Sequence, residues 1–147
     1  MSNKLRSIKK GAPANADGVK VTIEELLASR GPLQVLLTQP LPARLAFRLT
    51  KLAKAVTAEL ETYEETRKAL CERYADKDDD GRPKKIGEGS EERFDIPEAK
   101  MPELEAEHKD LLQSEVTIAG QRIKLNDISG ISIAPAHLIS LAWLVEE

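Results

Sequence analysis

Three cations, Arg44, Arg48 and Lys51, follow one another at spacings of four and three residues. On a helix that spacing places them on one face. Three positive groups so arranged can grip phosphate oxygens of a nucleotide or a nucleic acid, and they are the chain's best candidates for anion contact. Lys54 lies a little off the face. The simpler reading is a solvated face whose aliphatic stems cover an adjacent apolar stripe while the charged heads stay in water. Trp143 is the only tryptophan. In an apolar closing segment an indole serves more readily as a core or interface anchor than as a base-stacking platform. Arg44, Arg48, Lys51 and Trp143 are therefore the candidate ligand- or partner-binding residues.

Other chemistry is thinly provided. Asp76-Lys77-Asp78-Asp79-Asp80-Gly81 matches the opening of a calcium loop, in which alternating carboxylates supply oxygen ligands. The match then fails: Gly87 stands where the bidentate glutamate belongs, Glu88 comes one residue late, and Pro83 takes the apolar position. A solvated turn that stops a helix is the better reading. His108 and His137 read as boundary histidines, and Cys71 as a small packing residue. No nucleophile elbow, P-loop or dinucleotide fingerprint is present. Neither an enzyme nor a cofactor or metal is expected.

The element that must carry the cations is Ala43 to Tyr74. Its apolar residues fall at Leu45, Leu49, Leu52, Val56, Leu60, Tyr63, Leu70 and Tyr74, interrupted at Arg67. The steps average close to the helical period of about 3.6, Pro42 is tolerated at the first turn, and the helix would run roughly 48 Å. Before it, Thr22 and Glu25 form a capping box and Val21 and Leu26 a hydrophobic staple. The helix they open is expected to stop near Arg30, because Gly31 suits the left-handed cap and Pro32 cannot continue. Leu33 to Thr38 then reads as a buried strand or extended segment. After the acidic turn, Pro97 or Pro102 starts a second helix with Met101, Leu104, His108 and Leu111 or Leu112 on one stripe, antiparallel to the first. Val116 and Ile118, then Ile123 and Leu125, alternate across Ala119-Gly120 and predict a β-hairpin. Pro135 opens a closing helix with Leu138, Ile139, Leu141, Ala142 and Val145.

The fold expected is α+β and helix-dominated: a long helical hairpin, a small β-hairpin and short N- and C-terminal helices. Residues 1–20 read as a flexible basic arm carrying Lys4, Arg6, Lys9 and Lys10, and residues 21–147 as a single domain. Aromatics are only 3% of the 147 residues, so the core must be aliphatic. Charged residues at 32%, above the roughly 25% usual in globular proteins, favour long solvated helices. The net charge of −3 is too small to imply a polyanionic partner, so nucleic acid is not the expected ligand. A lone cysteine suits a reducing cytoplasm. No apolar run approaches the roughly 18 residues of a membrane span. The basic start is not followed by a signal-peptide core. A soluble, cytoplasmic protein is expected.

Leu41-Pro42-Ala43-Arg44-Leu45-Ala46 leads into Leu49, Lys51 and Leu52, followed by Tyr63-Glu64, Arg67 and Tyr74 before the Gly81 turn. Leu111-Leu112, Glu115-Val116, Ile133, Pro135 and Leu138 follow. In these residues, spread over about 33 to 147, the chain resembles a family of small phage- and prophage-encoded proteins catalogued as a domain of unknown function. The resemblance implies a phage accessory protein acting in a bacterial cytoplasm, and no assigned activity. Two roles follow as expectations. One is an oligomeric, non-enzymatic interaction protein that binds a host or phage protein, most simply a two-fold dimer through the uncovered part of the long helix. The alternative is a counter-defence sponge that sequesters a small anionic nucleotide in a basic inter-subunit pocket.

Overall fold

The computed structural model describes residues 18–147; the basic arm over residues 1–17 lies outside the described residues. The described chain is helix-dominated α+β and divides into two compact units. One holds the described residues up to Leu60 together with Glu115–Glu147, and the other is Glu61–Ser114.

In the first unit, strand β1 (Val19–Thr22) begins inside the segment expected to be the arm. It pairs antiparallel with β4 (Glu115–Ile118), Val19 opposite Ile118 and Val21 opposite Val116. Gly18 enters this pair with φ +132°, and a Cβ there would lie 2.5 Å from the Ile118 carbonyl oxygen, so only glycine fits. Helix α1 (Ile23–Leu37) opens on the expected capping box: Thr22 Oγ1 accepts from the Glu25 N–H at 3.1 Å, and the Thr22 N–H donates to Glu25 Oε1 at 3.2 Å.

Helix α1 does not stop at Gly31-Pro32 but runs on to Leu37. Thus the expected stop near Arg30 and the expected strand over Leu33–Thr38 are both corrected. The physical reason is burial. Leu26, Ser29, Leu33 and Leu36 are buried at steps of three, four and three, one continuous face. Removing Leu33 and Leu36 from water is worth roughly 1.5–3 kcal/mol each, enough to offset the ~3 kcal/mol that an interior proline costs. The carbonyl left without its donor belongs to Ala28, on the exposed side where water reaches it. Ser29, the one buried polar residue of the described core, donates its hydroxyl to the Leu26 carbonyl at 2.9 Å.

Helix α2 (Ala43–Tyr74) has the bounds the periodicity predicts. Leu45, Leu49, Leu52, Val56 and Leu60 are buried in the first unit, whose core also takes Val21, Leu26, Ile118, Ile123, Leu141 and Leu144. The part of the stripe expected to lack a cover is therefore covered by the chain itself, and the premise for a dimer through that face is gone.

The hairpin expected across Ala119-Gly120 does not form. Instead β4 pairs with β1, and β5 (Ile123–Lys124) pairs in parallel with β6 (Val145–Glu146), Ile123 opposite Val145. Helix α4 (Pro135–Ser140) accordingly ends before Leu141, and Val145, expected on that helix, lies in β6. Buried Leu141, Trp143 and Leu144 anchor the turn between them, and the Ile123 N–H donates to the Leu144 carbonyl at 2.8 Å. Helix α4 packs against α1.

In the second unit the small β-hairpin appears where only a polar loop was expected: β2 (Lys85–Ile86) pairs antiparallel with β3 (Arg93–Phe94). Gly87, φ +88°, turns the chain so closely that a Cβ would meet the Glu91 carbonyl oxygen at 2.5 Å. Three backbone bonds, Asp76 N–H to Asp95, Lys84 N–H to Asp76 and Asp95 N–H to Lys84, tie the loop to the hairpin. Helix α3 (Met101–Leu112) carries Pro102, one of the two prolines expected to start it, in its first turn and buries Leu104. Tyr63 and Arg73, ten residues and so roughly 15 Å apart on α2, reach the adjacent residues His108 and Glu107 of α3. Their pairing is thus concentrated on one turn of α3. Among the described residues no helix is long and apolar enough to cross a membrane.

Because Pro32 is held in α1 by packing rather than by local preference, Pro32→Ala is expected to raise the stability of the chain by about 1–3 kcal/mol. Urea denaturation reads this as a higher midpoint at unchanged slope. A lowered midpoint would mean that the pyrrolidine itself is an essential packing group.

Candidate functional site

Helix α2 does not present the predicted cations as one free cluster. Arg48 faces the segment after β4: its guanidinium donates to the Arg122 carbonyl at 3.3 Å and lies 4.0 Å from the Asp127 carboxylate. Lys51 sits with its ammonium 5.6 Å from the centre of the Phe47 ring. Arg48 and Lys51 together line a cleft of about 210 Å³ closed by Ala119, Gly120 and Gln121, whereas Arg44 is exposed and is not part of its wall. That volume is below the roughly 300 Å³ at which small-molecule pockets begin. Trp143 is core, 6% exposed, and its indole N–H has no hydrogen-bond partner among the described residues. It offers no surface anchor.

The second unit contains two polar clusters. In one, the Tyr63 hydroxyl meets His108 Nε2 at 2.8 Å, with the rings stacked at a centroid distance of 6.0 Å. Burial pushes the Tyr63 phenol above its ordinary pKa, so it stays a neutral hydrogen-bonding group. His108 shares a cleft of about 170 Å³ with Leu70, Cys71 and Leu104. In the other cluster, Arg73 pairs with Glu107. Hydrogen bonds from the Tyr74 hydroxyl and the Arg73 guanidinium hold the Glu107 carboxyl below its usual range. The described residues contain no group of three or more side chains placed to hold a metal ion. In the acidic turn the Asp78 carboxylate accepts from the Asp80 and Arg82 N–H groups, both at 2.9 Å, so it closes the turn itself.

A concavity of about 700 Å³ lies in this same unit, between the Arg67–Cys71 stretch of α2, the β2–β3 hairpin and the start of α3. Its wall is apolar where Cys71, Ile86, Phe94, Ile96 and Met101 meet. Four cationic side chains stand around it, Arg67, Lys68, Lys85 and Arg93, against two carboxylates, Glu92 and Asp95. The carboxylates are already paired: Glu92 with Lys85 at 3.6 Å, Asp95 with Lys84 at 3.9 Å. Arg67 is paired with Glu64 at 3.2 Å. Lys85 also stands 5.3 Å from the centre of the Phe94 ring, its cross-strand neighbour. Lys68 and Arg93 have no ion-pair partner among the described residues. The cleft therefore has an apolar wall and an uncompensated positive rim. Reading by helical face missed it, because its parts come from three separate segments. The signal present in the sequence is a cation beside an apolar residue twice over, Lys85-Ile86 and Arg93-Phe94.

Glu107 sets a pH dependence whose sign is fixed. Its folded pKa is lowered, so its contribution is fully present above the unfolded value, about 4.3, and is lost as pH falls through the folded value. Glu107→Gln should therefore lower stability at neutral pH and lose that difference in acid. Equal differences at both pH values would show that the carboxylate charge is not involved. The chain as a whole matches no protein-family model, no curated protein and no solved structure.

Proposed function

We propose that the protein is a non-enzymatic interaction module of a phage, acting in the bacterial cytoplasm, with the cleft of the Glu61–Ser114 unit as its partner-binding surface. The observation that carries this reading is the combination in one concavity of an apolar wall and two cations, Lys68 and Arg93, that pair with no carboxylate among the described residues. An apolar wall supplies affinity by excluding water, and unanswered rim charge selects and steers an oppositely charged partner. The phage and cytoplasmic setting is taken from the sequence resemblance. Self-association belongs to this reading only through surfaces other than the α2 stripe. Phe47 and Ile139, 66% and 76% exposed, are the most exposed large apolar side chains described.

Cys71, the only cysteine, lines the cleft and allows a direct test. A photo-crosslinker attached to Cys71 in the full chain should yield a host or phage protein adduct from infected-cell lysate, and Lys68→Glu with Arg93→Glu should abolish it. Adducts indifferent to the charge reversal would sink the assignment of the surface.

A second reading, sequestration of a small anionic nucleotide, is favoured by the cleft's volume, which lies in the roughly 300–1,000 Å³ range of small-ligand sites. On that reading a cyclic or ADP-ribose-type nucleotide raises the melting temperature in a thermal-shift series, since it binds only the folded state. No shift at millimolar ligand removes it.

A further inference from the structure

The cleft also constrains what kind of partner it takes. We infer that it docks a protein segment in which acidic residues flank an apolar side chain, the carboxylates meeting Lys68 and Arg93 and the apolar group entering against Phe94 and Met101. This rests on the reading of the cleft as the partner-binding surface.

Charge complementarity is the first argument. Both carboxylates in the wall are held by lysines, and Arg67 is held by Glu64, so the residual charge is positive and belongs to Lys68 and Arg93. They come from different elements, α2 and β3. A segment reaching both needs more than one anionic group, spaced along its length. A cationic or neutral segment would leave two cations desolvated without partners.

The second argument concerns the apolar wall. Ile86 and Met101 are each more than one-third exposed, so the wall opens outward instead of enclosing a compact ligand. A methionine at such a rim adapts its unbranched side chain to differently shaped apolar groups. The guanidinium of Arg93 suits a carboxylate in particular, because its planar fork can donate to both oxygens at once. An acidic segment with an apolar anchor satisfies the rim, the wall and the opening together. A compact nucleotide would leave the outer apolar residues uncovered.

Fluorescence anisotropy of the full chain tests this with a short labelled peptide alternating Asp with Leu and Phe. Its Asn-for-Asp and Lys-for-Asp counterparts are the controls. The acidic peptide should bind at least about tenfold more tightly than either, and added salt should weaken it. Lys68→Glu and Arg93→Glu should each reduce affinity by about tenfold, while Arg93→Lys should retain part of it. Met101→Ala should weaken the acidic peptide without altering its preference over the Asn form. Both cations are exposed and make no ion pair among the described residues, so circular dichroism is expected to match between these variants and the parent chain. Equal binding of the Asn peptide, or displacement of the acidic peptide by ATP at lower concentration than by unlabelled peptide, overturns the inference. Crosslinking at Cys71 is read separately. A charge-dependent protein adduct with no acidic-peptide preference overturns the partner class alone, and loss of both overturns the surface.

Discussion

A helix that buries one stripe along most of its length obliges the rest of its chain to lie against that stripe. The buried series of α2 runs from Leu45 to Tyr63 without a polar break. At roughly 1.5–3 kcal/mol for each large side chain removed from water, leaving it open would erase the stability of a domain this size. The folded chain responds locally. Around Leu45–Leu60 it gathers residues from both ends of the described sequence, β1 and α1 before the helix and β4 to β6 after it. Around the remainder it gathers the segment between, with the β2–β3 hairpin and α3. Apolar residues at the ends of the chain are thus as necessary to α2 as its own leucines.

That obligation explains which features the sequence displays and which it hides. A period of 3.6 sustained over eight turns can belong only to a helix, and α2 has the bounds it predicts. The capping box at Thr22 is likewise a local device whose partners are three residues apart. Gly31-Pro32 was misleading because its ordinary local meaning is overruled by Leu33 and Leu36, whose burial depends on elements remote in sequence. Val116–Ile118 and Ile123 show the alternation of strands, but alternation identifies a strand without identifying its neighbour. Their partners are Val19–Thr22 and Val145–Glu146, and the four-residue link between them, 119–122, connects two strands that do not pair with each other.

The functional reading shifts for a related reason. Arg44, Arg48 and Lys51 share a face, which is legible from spacing, but what each cation touches is not. Arg48 holds the chain after β4, and Lys51 rests against Phe47, so part of the cluster belongs to the fold. Lys68 and Arg93 attract no notice in sequence because they lie on different elements. They become a pair only once the hairpin has folded beside α2 and the neighbouring carboxylates have been taken by Lys84 and Lys85.

The placement of the aromatic residues has one more consequence. The only tryptophan, Trp143, is buried in one compact unit, and both tyrosines, Tyr63 and Tyr74, belong to the other. The two units therefore carry different chromophores. Red-edge excitation follows the environment of the β5–β6 end alone, while tyrosine absorbance follows the helix that walls the cleft. A single unmodified sample can therefore be asked whether its two halves melt together.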